Sequence, residues 1–298
     1  MKSGFSGCRE RLKWIDHALR TLDEDFRVWM LENDPNPITV EYQPEADVHL
    51  FRLGSQLPPS RFGIVAGNIV HQVRATLDNL IWQLVIANGK KPTSGSRGNQ
   101  FPIIWELKGD KTFADYTMNT LAGVHPDHVA VVDWLQPYHS PDATRHDHPL
   151  AMLARLSNTD KHQVLQVTYA SRPKVAPVEI PPKFVTPTGI SVVSSEIRPP
   201  EERHAGAIIG WAYLDPSGFQ PDVEMQADYW GGLSFEGASV VTSTIISTLT
   251  TISAVVWWSV GRFTGIIERG EPLPNPFHLT PELIEKMRLA FTKFRNVI

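Results

Sequence analysis

Residues 238–261, ASVVTSTIISTLTTISAVVWWSVG, contain no charged side chain. A bilayer is crossed by about 20 apolar residues, so a stretch of this length must either span a membrane or be buried by the rest of the chain. Its composition favours burial. Ten of its residues are Ser or Thr, and its large apolar side chains Val241, Ile245, Leu249, Ile252, Val256 and Val260 recur at intervals of three and four. Such spacing lines one face of a helix, with Thr248, Thr251 and Ser259 on the opposite side. The pattern predicts a long, mostly buried amphipathic helix and no membrane partner.

Other segments supply faces for it to pack against. Leu12, Ile15, Leu19, Leu22, Phe26 and Trp29 form a seam of alternating three- and four-residue steps, which predicts an N-terminal helix. Prolines in NDPNP at 33–37 end it. A second helix is predicted from about Phe62 to Ala87 on the stripe Ile69, Val73, Leu77, Leu80 and Leu84, and a shorter one over HPDHVAVVDWLQPY, ended by Pro137. The last helix opens at Thr280-Pro281, an N-cap followed by a first-turn proline, with the stripe Ile284, Met287, Phe291, Phe294 and Ile298.

Strand character is confined to two places. ITVEYQ and VHLFRL at 38–53 read as a hairpin, and VLQVTYA, GISVVSSEI, AIIGWAYL and VEMQADYWGGLSF fall between Pro- and Gly-rich turns. The expected fold class is therefore α+β: a helical bundle built from both ends of the chain (1–162 with 238–298, the hairpin near 38–53 included), interrupted by an antiparallel β-rich insertion at 163–237.

Charge and cysteine usage narrow the function. The chain of 298 residues has a net charge of −4 and a single cysteine, Cys8. No global basic field exists for nucleic acid, so DNA is not expected and an RNA site would be a local patch. One cysteine excludes an internal disulfide or a cysteine zinc site and suits a reducing cytoplasm. The N-terminal MKSGFSGCRERLKW has no apolar core of a secretory signal. Of eleven histidines, His139, His146 and His148 share a loop with Asp142 and Asp147, and His125 and His128 are three apart. No H-E-x-x-H accompanies them, and histidines in a proline-containing loop read as solvated polar residues, so no metal is assigned. No phosphate loop, dinucleotide fingerprint or G-x-S-x-G occurs, and no cofactor is assigned.

Two polar groups interrupt the apolar pattern. In the second helix His71, Arg74 and Asp78 lie within about 60° of one another around the axis, bordered by Val70, Ile81 and Val85. Charges in such a setting need partners; they read either as an ion pair fixing a helix contact or as a functional patch. The second group is Asn158, Asp160, Lys161 and His162 in NTDKH. It offers an acceptor, a fixed cation and a group titrating near neutrality, as a phosphate-directed site uses. It also reads as a helix end where Asn158 breaks the helix and Lys161 and His162 complement the dipole, which leaves Asp160 unexplained. Joining the groups resolves both, so Arg74 and Asp78 are expected to contact the NTDKH turn.

The motifs Gly67-x3-His71-x2-Arg74-x2-Leu77-Asp78, Phe101-Pro102, Leu135-Gln136-Pro137-Tyr138 and Asn158-x-Asp160-Lys161-His162, in that order over about residues 60–165, resemble a group of uncharacterised bacterial and phage proteins. Members with R-S-A-L-D-H on the helix are in turn similar to HEPN-type ribonucleases, helical enzymes of defence and toxin systems. This second resemblance implies metal-independent RNA cleavage, with Arg74 on phosphate and a histidine transferring the proton. The chain departs from that pattern where the histidine would stand, which is Asn79; asparagine cannot exchange a proton near neutral pH. On this reading His162 and His71 act with Arg74 in catalysis, while Asp78, Asn79, Asn158, Asp160 and Lys161 bind, and the bundle offers a face for a homodimer. The alternative is a non-catalytic interaction protein in which the Arg/Asp/His network is structural.

Overall fold

The stripes that predict the first two helices, and most of the stripe in the charge-free segment, become inner faces of helices. The computed structural model describes residues 4–33, 38–53, 58–95, 98–162, 165, 167–173, 192–197, 208–214, 229–235 and 244–295. Helix α1 spans Ser6–Asn33, with Leu12, Ile15, Leu19, Leu22, Phe26 and Trp29 all buried. Helix α2 spans Arg61–Ala87, and Ile69, Val73, Leu77, Leu80 and Leu84 are buried with it. The chain is α+β, mainly helical, and divides into two compact units: residues 1–23, 63–165 and 246–298 in the first, 24–62 and 166–245 in the second.

The first unit is helical. As α1 advances from Gly4 to Arg11, its neighbours on α2 recede from Gln83 to Gln72: a Cβ on Gly4 would meet Gln83, one on Gly7 would meet Asn79, Cys8 Sγ reaches the Thr76 carbonyl at 3.9 Å, and Arg11 donates to Gln72 at 2.6 Å. The two helices are therefore antiparallel neighbours, brought close by the small residues Gly4, Gly7 and Cys8. The unit continues through α3 (Phe113–Thr117), α4 (Pro126–Trp134), α5 (Pro149–His162), α6 (Ile245–Arg269) and α7 (Pro281–Arg295). In α7, Met287 and Phe291 are buried, whereas the side chains of Phe294 and Ile298 lie outside the described residues.

Helix α6 carries the charge-free segment, and its end differs from expectation. It runs past Gly261 to Arg269, stopping where Gly270 adopts φ +67° and the Glu271 amide donates back to the Gly265 carbonyl at 3.1 Å. The left-handed glycine turns the chain back on the helix and ends it. As expected of a mostly buried helix, the side opposite the apolar stripe is covered too: Ser259 and Thr248 are buried like Ile252 and Val256. Their kind can be buried because the hydroxyl bonds its own helix. Ser259 donates to the Val255 carbonyl at 2.8 Å, Thr264 to Val260 at 2.7 Å and Thr251 to Ser247 at 2.9 Å. Among the described residues, no helix is long and apolar enough to cross a membrane. Residues 238–243, where the predicted helix begins, lie outside the described residues.

The second unit holds the strands β1 (Ile38–Gln43), β2 (Val48–Leu53), β3 (Val167–Pro173), β4 (Val192–Ile197), β5 (Ile208–Leu214) and β6 (Tyr229–Phe235). All pairs are antiparallel, in a four-stranded sheet ordered β1-β2-β5-β4 and a two-stranded ribbon β3-β6. The hairpin, read from sequence as part of the helical portion, pairs instead with β5, His49 opposite Ala212 and Leu50 opposite Trp211. A lone hairpin is marginal in water, and adding β5 and β4 completes a sheet. Its turn places Asp47 at φ +51°, a conformation that Asp tolerates, and Tyr42 holds the Asp47 carboxylate at 2.8 Å.

Two predicted helix ends move. NTDKH is not a turn: α5 continues through Asn158 to His162. Helix α4 stops at Trp134, three residues before Pro137, which opens a 3-10 turn over Pro137–His139.

Candidate functional site

The polar strip on α2 closes on one residue. Arg74 Nη2 donates to the Phe101 carbonyl at 2.6 Å, Asp78 Oδ1 accepts the Phe101 amide at 2.9 Å, and Arg74 and Asp78 pair with each other at 3.0 Å. Phe101 itself is fully buried. Its backbone leaves water without a strand or helix partner, and the two charged side chains replace that partner. Asp78 serves both the guanidinium and the amide, so neither charge is left uncompensated.

Three residues on, the same segment is held from the other side. Gln136, 1% exposed, accepts the Ile104 amide at 3.0 Å and donates to the Val132 carbonyl in α4 at 2.8 Å. The H-x-x-R-x-x-L-D, F-P and L-Q-P-Y motifs therefore build one object: a segment outside helix and strand, 101–104, clamped at its first residue by α2 and at its last by Gln136 just after α4.

The fourth motif meets α2 one turn before His71. A Cβ on Gly67 would lie 2.8 Å from Asp160 Cγ and closer still to its Oδ1, so glycine is the residue that lets the Asp160 carboxylate rest on the α2 backbone. This corrects the expected contact. The NTDKH end of α5 does reach α2, but at Gly67; among the described residues no hydrogen bond or ion pair links Arg74 or Asp78 to residues 158–161. Arg74, seven residues beyond Gly67, is already used by Phe101 and Asp78.

The remaining candidates scatter. His71 is exposed and has no hydrogen bond or ion pair among the described residues; Asn158 and Lys161 are exposed; Asn79 is directed to α1, with its Nδ2 3.9 Å from where a Cβ on Gly7 would stand. The backbone of His162 closes α5, and its side chain lies outside the described residues. Asn79 is a full 100° around the helix from Asp78, which is why it faces a different neighbour.

The histidines form arrangements that their spacing did not reveal. His148 and His125 each precede a proline that starts a helix, and each caps that helix with its ring: His148 Nδ1 accepts the Leu150 amide at 3.2 Å, His125 Nδ1 that of Asp127 at 3.3 Å. His148, read as a solvated loop residue, is 3% exposed. Burial lowers its pKa to about 4, and charge on His139 pushes the same way. His128 packs edge-on to Phe263 at 5.8 Å, and burial, aided by His125, lowers its pKa also. The signal available in sequence was the repeated His-Pro pair, because proline at the first helical position makes the preceding residue the cap.

A second polar cluster gathers at the end of α4. Tyr138 and His139 both donate to Asp133 Oδ1, His139 Nε2 at 3.1 Å, and the His139 ring stacks on His278 with centroids 4.5 Å apart. Burial and the Asp133 carboxylate raise the Tyr138 pKa, so the phenol keeps its proton. Among the described residues, no group of three or more His, Cys, Asp or Glu is placed to hold a metal ion. Compared with models of known families, with curated proteins and with solved structures, the chain matches none.

Proposed function

We propose that this protein acts by binding a partner, and that its Arg/Asp strip is structural rather than catalytic. The observation that carries the reading is the closure of Arg74 and Asp78 on the Phe101 backbone. A guanidinium that binds phosphate must offer its donors outward; here the shortest bond of Arg74 goes to a buried residue's carbonyl. Asn79, which stands where the proton-transfer histidine of an HEPN-type pattern would be, is turned to α1 and cannot exchange a proton. The test is incubation of the full chain with single-stranded and structured RNA at high protein concentration, with and without chelator. Intact RNA in both arms is the expected result.

One observation favours a second reading. His71 is exposed, one turn from Arg74, and without a partner among the described residues. In an HEPN-like, metal-independent ribonuclease of a defence or phage–host system it would share proton transfer with His162. Cleavage that survives chelator and disappears in both His71→Ala and His162→Ala would establish this reading and end the first.

A further inference from the structure

Between α1 and α6, within the helical unit, lies a cavity of about 350 Å³. Its floor is apolar: Leu12 and Val260 close it from beneath, almost fully buried, while Trp257 and Gly261 carry its accessible surface, and a Cβ on Gly261 would meet nothing within 4 Å. Its rim is charged. Arg9, Lys13 and Arg269 line it against a single carboxylate, Glu268. Among the lining residues that is three cations to one carboxylate, and Glu10 and Glu271 beside the lining pair with Lys13 and Arg269.

The cations are placed rather than free-swinging. Arg269 is clasped at 2.8 Å by Glu271, which the turn at Gly270 folds back over Gly265, and Arg9 reaches Glu268 at 3.4 Å. Lys13 meets Glu10 at 3.1 Å. Exposed pairs of this kind are weak and yield readily to an anion that brings its own apolar surface. A concave apolar floor with a few convergent charged groups is the general form of a small-molecule site, and the volume falls at the lower end of the usual range of about 300–1,000 Å³.

We propose that this cavity binds a small amphiphilic anion: an apolar body laid on Trp257 and Gly261, and a carboxylate or phosphate-monoester head among Arg9, Lys13 and Arg269. The apolar floor supplies burial and the rim selects charge. This site is separate from the α2 strip and stands or falls independently of whether that strip is structural.

Isothermal titration of the full chain with octanoate, monooctyl phosphate and 1-octanol tests the proposal. Both anions are expected to bind, with octanol at least about ten-fold weaker; the two anion arms decide which headgroup is preferred. Gly261→Phe, which fills the floor from a helix position with open space above it, is expected to abolish binding while the thermal midpoint stays at or above wild type. Lys13→Gln with Arg269→Gln is expected to weaken the anions about ten-fold and leave octanol unchanged, and Glu268→Gln to tighten them. Octanol binding as tightly as octanoate would reduce the cavity to an apolar crevice and overturn the proposal. So would a folded Gly261→Phe that binds octanoate as wild type does, or no anion binding at millimolar concentration. If Gly261→Phe does not fold, the charge variants decide.

Discussion

Arg74 and Phe101 are joined by a 2.6 Å bond from guanidinium to carbonyl, and Asp78 completes the ring by taking the Phe101 amide at 2.9 Å. Two half-buried charges thus serve the two backbone groups of one buried residue. The arrangement explains why an Arg and an Asp four residues apart interrupt a helix that is otherwise apolar on its flanks.

Removing either charge strands the other and also a backbone group. Arg74→Ala and Asp78→Ala are each expected to cost about 1–3 kcal/mol in urea unfolding, against about 0.5 kcal/mol for an ordinary surface change. Because both act on Phe101, the double variant should cost clearly less than the sum. Additive losses would mean that the two side chains act separately.

Gly67→Ala tests the contact with Asp160. In an exposed helix the change would stabilise by up to about 1 kcal/mol, but here the new methyl would sit 2.8 Å from Asp160 Cγ. Overpacking costs about 1–3 kcal/mol, so a net loss is expected in chemical denaturation. Gly67→Ala combined with Asp160→Ala should recover most of it. A stabilised single variant would show that α5 does not rest on this glycine.

His148 sets an acid limit on stability. Its pKa falls from the ordinary 6.5 to about 4 in the fold, so between these values the unfolded chain binds more protons and stability declines as pH falls from about 6.5 toward 4. The full effect is on the order of 3 kcal/mol and is absent above about pH 7. His148→Asn keeps a side chain able to cap α5 and should flatten this part of the profile. An unchanged slope in His148→Asn would assign the acid sensitivity to other groups.

Cys8 is fully buried, and burial, only partly offset by Arg11 and Arg9, raises its pKa to about 11. The thiolate is the reactive form, and two units above the ordinary 9.0 leave about 100-fold less of it. Reaction with an aromatic disulfide reagent at pH 8 is expected to be slower by at least that factor in native protein than in denaturant. Rapid labelling of the native chain would contradict the packing of α1 against α2 at Thr76.

The helices were legible in the sequence because each buries one stripe, and a stripe is a local property: Leu12 to Trp29, Ile69 to Leu84 and Ile245 to Val260 recur at helical spacing whatever they pack against. The strands of the hairpin were legible for the same reason. What β1 and β2 pair with was not, since a strand's hydrogen bonds are satisfied by any antiparallel neighbour, and only the assembled sheet joins β2 to β5. The polar residues divide along the same line. Local sequence showed that Arg74 and Asp78 can pair, because positions four apart on a helix face each other. It could not show that their shared partner is a backbone 23 residues beyond Asp78, or that Asp160 comes to rest on Gly67, or that Asp133 gathers Tyr138 and His139 beside His278. A buried polar group's partner is chosen by which segments the packed core brings together, and that choice is made only in three dimensions.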